Sequence, residues 1–140
     1  CAATHDNNPR FVRHGIRLGR HLVANACMHC VDPVCMIGCP TGAISRSVQG
    51  PVVINDATCI GCGTCARACP YDDIRMVEVR TPDGRYVVDE RTNAPITLAT
   101  KCDLCIDQSG GPACVRACGH DALARVDLSD PASLTTWLGR

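Results

Sequence analysis

Thirteen of the 140 residues are cysteine, and twelve of them fall into three groups of four. The first is CMHCVDPVCMIGCP, with Cys27, Cys30, Cys35 and Cys39 followed by Pro40. The second is CIGCGTCARACP, with Cys59, Cys62, Cys65 and Cys69 followed by Pro70. The third is CDLCIDQSGGPACVRACG, with Cys102, Cys105, Cys114 and Cys118 followed by Gly119. Cys1 stands alone. Thiolates at this density serve disulfide scaffolds or hold metal, and the spacing separates the two uses.

The second group reads C-x2-C-x2-C-x3-C-P, the run by which bacterial ferredoxins ligate 4Fe-4S clusters. Three thiolates on one glycine-containing loop reach three corners of one iron-sulfur cube, and Gly61 and Gly63 let the backbone come close. The fourth cysteine follows a first helical turn that Pro70 ends, so its thiolate is carried toward a neighbouring cube. A disulfide framework would be an odd secreted scaffold with three repeated quartets. Zinc, which takes paired C-x2-C elements, is disfavoured by the third cysteine inside each loop and by the C-x3-C tail.

The rest of the composition leaves little else to hold a fold. There are one Phe, one Trp and two Tyr, so the side chains that bury most area are nearly absent. A domain this poor in apolar bulk is expected to depend on its metal for stability. Fourteen basic residues balance fourteen acidic ones, giving no electrostatic case for nucleic acid or an anionic membrane. No apolar run is long enough to span a bilayer, so the chain reads as soluble. The first residue is a cysteine and no signal peptide precedes it, which reads as a fragment of a longer chain. Patterns for nucleotide binding and serine hydrolysis are missing, and neither a catalytic site nor a small-molecule substrate is legible.

The elements that would position the cysteines repeat. Each quartet ends in a similar tail, CPTGAI, CPYDDI and CGHDAL. PVVIND before the second quartet and IRMVEV after it read as short strands, so each unit runs strand, cluster loop, one or two helical turns, strand. The expected class is α+β, a duplicated ferredoxin-like fold. Residues 1–26 are a connecting segment with a possible strand pair in FVRHGIRLGRHLV, and residues 27–80 form an inner two-cluster unit. Residues 81–100, with TPDGRYVVDE, form a hairpin or loop, and residues 101–140 form the third cluster unit and a tail.

CMHCVDPVCMIGCPTGAI, CIGCGTCARACPYDDI, and KCDLC followed by GGPACVRAC resemble the four-cluster iron-sulfur subunits that partner molybdopterin oxidoreductases of the dimethyl sulfoxide reductase, polysulfide reductase and formate dehydrogenase type. The likeness runs over about residues 1–125, but the opening quartet of that family is missing. It implies crossed ligation. One cluster takes Cys27, Cys30, Cys35 and Cys69, and a second takes Cys59, Cys62, Cys65 and Cys39. A third takes Cys102, Cys105 and Cys114 with Cys1, which leaves Cys118 for a fourth cluster completed upstream. The alternative is that Cys118 ligates locally and Cys1 is a frayed end.

The resemblance further implies three 4Fe-4S clusters in this sequence, electron transfer between a redox partner and a second donor or acceptor, and no chemistry of its own. Reduced thiols favour the cytoplasm, with folded export beside a partner as the alternative. An iron-sulfur sensor is a second reading, supported by the basic run Arg10, Arg13, Arg17 and Arg20. Those arginines, with Lys101, Arg67 and Arg116 next to cysteines, read first as a solvated face balancing cluster charge and otherwise as groups that tune potential or dock a partner. His29 and His120 read as loop or supporting groups rather than ligands. Asp72, Asp73 and Asp121 read as capping residues or loop charge, Tyr71 as packing against a cluster, and Trp137 as terminal packing or a docking contact.

Overall fold

The computed structural model describes residues 1–10, 15–127 and 130–139, and at 15–18, 21–24, 134 and 137 the backbone alone. The chain forms two compact units, Cys1–Asp103 and Leu104–Arg140.

In the first unit a 3-10 turn at Ala2–Thr4 precedes the antiparallel pair β1 (Gly15–Leu18) and β2 (His21–Ala24). This is the strand pair expected before the first quartet, except that its leading residues 11–14 lie outside the described residues. Helix α1 (Val34–Ile37) follows, then the hairpin of β3 (Ile44–Arg46) and β4 (Val52–Ile54), registered Ile44 to Ile54 and Arg46 to Val52. The hairpin closes through Ser47 N–H to Pro51 O at 2.8 Å and Gly50 N–H to Ser47 O at 3.0 Å, with Gly50 at φ 100°. Helix α2 (Thr64–Ala68) leads into β5 (Arg75–Glu78), which pairs antiparallel with β6 (Thr97–Thr100). PVVIND and IRMVEV therefore hold β4 and β5.

The hairpin expected over 81–100 begins earlier, at Arg75, because β6 at its far end pairs back on β5. Isolated bridges Arg80–Tyr86 and Val88–Pro95 continue the pairing beyond the strands. At its tip Gly84 N–H donates to Thr81 O at 2.8 Å, in the Pro-Asp-Gly turn. The second unit holds α3 (Ala113–Arg116) and α4 (Pro131–Leu138).

The short helices are set by their flanks. Pro33 and Pro112, in extended conformation at the N-caps of α1 and α3, have no N–H for the helix to leave unpaired. Gly63 enters α2 in the left-handed region, at φ 73°, and Cys69 leaves it extended ahead of Pro70. Helices α1, α2 and α3 each carry the third cysteine of a quartet as their second residue: Cys35, Cys65 and Cys114.

The core of the first unit is small. Ile44, Val52, Cys65, Ile74 and Ala99 are buried, and Cys35, Met36, Cys39, Ile54, Cys59, Ala66, Cys69 and Met76 pack on them. Five of these thirteen residues are cysteines, so the thiols themselves supply much of what aromatic side chains supply elsewhere.

Candidate metal centre

The first two quartets do not each close on themselves. Cys27, Cys30 and Cys35 line one hollow together with Cys69 of the second quartet; its free space, mouth included, is about 370 Å³. Cys59, Cys62 and Cys65 line another together with Cys39 of the first quartet, with about 320 Å³ of free space. The exchange follows from the local folding. In each quartet the third cysteine sits at the start of a helix and the fourth just past its end, and α1 and α2 pack on one another. None of the thirteen cysteines is in a disulfide.

The fourth cysteine of every quartet opens the same turn. The N–H three residues on returns to its carbonyl at 3.3 Å in all three cases, from Gly42 to Cys39, from Asp72 to Cys69 and from Asp121 to Cys118. That third residue is left-handed each time, with φ of 65°, 55° and 48°. The turn aims the next amide at sulfur: Asp73 N–H reaches Cys69 Sγ at 3.4 Å and Ala122 N–H reaches Cys118 Sγ at 3.3 Å. Two of these positions are aspartates, whose short side chains tolerate this conformation. Asp72 also pairs with Arg75 at 2.6 Å.

Such amides favour the thiolate. At Cys39 burial opposes ionisation, but bonds from the Thr41 hydroxyl and the N–H groups of Thr41, Ile44 and Ala43 outweigh it and bring the thiol below its usual range. The N–H and hydroxyl of Thr64 lower Cys62, and the N–H groups of His120 and Ala122 lower Cys118. Burial pushes Cys65 up. It pushes Cys35 up as well, reinforced by the neighbouring Cys27 thiol and opposed by the Lys101 ammonium.

The walls of the first hollow are tied to its loop. His29, left-handed at φ 47°, accepts the Val52 N–H on Nδ1 at 3.1 Å, so this nitrogen serves the backbone. Arg46 donates to the carbonyls of Cys30 at 2.5 Å, Val31 at 2.9 Å and Gly50 at 2.7 Å, pinning the loop to the β3–β4 hairpin. Tyr71 lines this hollow while remaining 48% exposed. Beside the second hollow, Gly61 at φ 68° lies so close to β6 that a Cβ there would stand 2.1 Å from Thr97 O.

The remaining candidate cysteines line neither hollow. In the first unit Cys1 is exposed, its Sγ accepting Arg10 N–H at 3.2 Å, and Cys102 is half-buried. In the second unit Cys105 is buried and left-handed at φ 51°, Cys114 is exposed and Cys118 half-buried. The Arg116 guanidinium donates to Ser109 O, closing the glycine loop before α3. Trp137 and Arg13 and Arg17 fall where side chains lie outside the described residues. No helix among the described residues is long and apolar enough to cross a membrane.

Each hollow gathers four sulfurs, the first with His29 and Asp73 also on its wall, and the nearby amides point at sulfur, which suits a soft, thiolate-ligated metal group. Four cysteines alone also suit zinc. Comparison with known proteins separates the two. Residues 20–83, which span both quartets and both hollows, match the family model of a 4Fe-4S dicluster domain. This segment is a 4Fe-4S dicluster ferredoxin domain.

Among its relatives is the electron transport protein HydN of Escherichia coli, 42% identical over 104 residues, which are 74% of this chain and 58% of that protein. Formate hydrogenlyase subunit 2 of the same organism is 34% identical over 127 residues, 78% of this chain and 62% of that one. An iron-sulfur protein of Rhodospirillum rubrum is 38% identical over 107 residues, covering 73% and 53%. The chain therefore spans little more than half the length of these relatives.

Proposed function

We propose that this chain transfers electrons through two 4Fe-4S clusters in its dicluster domain, one held by Cys27, Cys30, Cys35 and Cys69 and the other by Cys59, Cys62, Cys65 and Cys39. The observation that carries this reading is the make-up of the two hollows, each lined by three cysteines of one loop and the fourth of the other. When bound, the clusters supply one-electron redox chemistry. The protein's part is to hold their thiolates, shield them in short loops and set their surroundings with amides and buried charge.

A third cluster is proposed on Cys102, Cys105 and Cys114. Cys1 is its proposed fourth ligand, which leaves Cys118, already seated in the turn shared with Cys39 and Cys69, as the ligand of a further cluster. The names of the relatives, an electron transport protein and a formate hydrogenlyase subunit, support a redox protein as the partner. We place the chain among the iron-sulfur subunits that serve molybdopterin oxidoreductases, with assembly in the reducing cytoplasm.

Iron, zinc and acid-labile sulfide analysis of anaerobically purified protein tests the reading. Two cubes give about 8 irons and 8 sulfides per chain, and three give about 12 of each. Zinc without sulfide contradicts it.

A further inference from the structure

Lys101 is 2% exposed and among the largest fully buried side chains of the described residues. A buried ammonium is unfavourable unless it is hydrogen-bonded and faces opposite charge. Its Nζ donates to Val52 O and to Cys102 O, the latter at 3.0 Å. Two carbonyl dipoles take two of its three protons but do not neutralise it. Val52 lies on the wall of the hollow that contains Cys27, Cys30, Cys35 and Cys69, and its own N–H is bound to His29 inside the Cys27–Cys30 loop. The same residue thus fastens Lys101 on one side and the cysteine loop on the other. Lys101 is also close enough to Cys35 to act on it electrostatically.

We propose that Lys101 is the positioning residue that sets the electron affinity of the Cys27–Cys30–Cys35–Cys69 site, its buried ammonium clamped by Cys102 O and by Val52 O on the wall of that hollow. This rests on the reading of that quartet as a cluster site. One-electron reduction adds one negative charge there, with no bond made or broken and no proton needed, the electron coming from an external reductant. A fixed positive charge stabilises the reduced state more than the oxidised one. Burial preserves the effect that water and salt would screen at the exposed Arg46 or Arg67.

The test is an anaerobic redox titration with dithionite and mediators, followed by EPR, on the full chain. The component belonging to this quartet is identified by its alteration in Cys35→Ser. Lys101→Gln keeps a donor for the carbonyls and removes the charge. It is expected to weaken electron uptake at that component about tenfold, a fall of about 59 mV for one electron, while the component of the other quartet stays in place. Lys101→Arg, which keeps the charge, is expected to stay near the wild-type value. If the glutamine variant fails to load, Lys101→Met offers a neutral side chain of similar length. If both neutral variants fail to load, an arginine variant whose component falls as far as tenfold overturns the proposal, and one that holds the wild-type value supports it. Normal iron content with unmoved potentials in a neutral variant overturns the tuning role and leaves the cluster reading intact. A wild-type chain without an iron-sulfur signal overturns both.

Discussion

The main-chain N–H of Asp73 donates to Cys69 Sγ across 3.4 Å. Ala122 does the same to Cys118 at 3.3 Å, and both follow a left-handed aspartate. The backbone thus treats both of these fourth sulfurs as acceptors, an arrangement that favours the thiolate form.

Acid is expected to strip the two sites in order. Cys39 and Cys62 are held below the usual thiol range and compete with protons down to lower pH. Each site contains one cysteine raised by burial, Cys35 in one and Cys65 in the other, but Cys39 and Cys62 both belong to the second. Protons displace metal more readily from thiols of higher pKa. As pH falls, the Cys27–Cys30–Cys35–Cys69 site is therefore expected to lose its signal at higher pH than the other. Visible absorption and EPR across a pH series check this, and release in the opposite order counts against it.

Gly61 and Gly50 both have positive φ, but they differ in surroundings. A Cβ at Gly50 meets nothing within 4 Å, whereas at Gly61 it would run into the Thr97 carbonyl at 2.1 Å. Gly50→Ala should cost roughly 1–2 kcal/mol from backbone strain alone. Gly61→Ala should cost at least about 3 kcal/mol, because the cluster loop or β6 must move. Thermal unfolding of the iron-loaded chain measures both, and equal losses would remove the role assigned to the close approach.

Arg46 binds three carbonyls from two segments. Arg46→Ala should raise amide exchange at residues 27–31 and cost about 1–2 kcal/mol, the scale of lost charge-assisted bonds at a partly solvated site. Unchanged exchange in that loop would show that the cysteines hold it without help.

Much of the arrangement was legible because spacing is a local property. The quartets, the turn at Pro82–Gly84 and the strands in PVVIND and IRMVEV can be read from neighbours along the chain. What could not be read depends on distant segments. TLAT gives little sign of being a strand until β5 is beside it, and the position of Lys101 next to a cysteine does not separate a tuning charge from a solvated one until Val52 closes over it. Gly61 suggested room for backbone near sulfur, and the structure adds a constraint from a distant segment, since a Cβ there would meet a carbonyl of β6. The one usable hint was the run Gly42, Asp72 and Asp121 at the same step after each quartet, residue types that accept positive φ.

Exchange of the fourth ligands between the two loops is tested most directly by pairing serine substitutions. Cys35→Ser with Cys69→Ser should damage a single cluster, altering one EPR component and costing no more than about 4 irons. Cys65→Ser with Cys69→Ser should damage both clusters and cost up to about 8 irons. The reverse outcome, one cluster lost from the Cys65 and Cys69 pair and two from the Cys35 and Cys69 pair, would mean that each loop keeps its own fourth sulfur and would contradict the account.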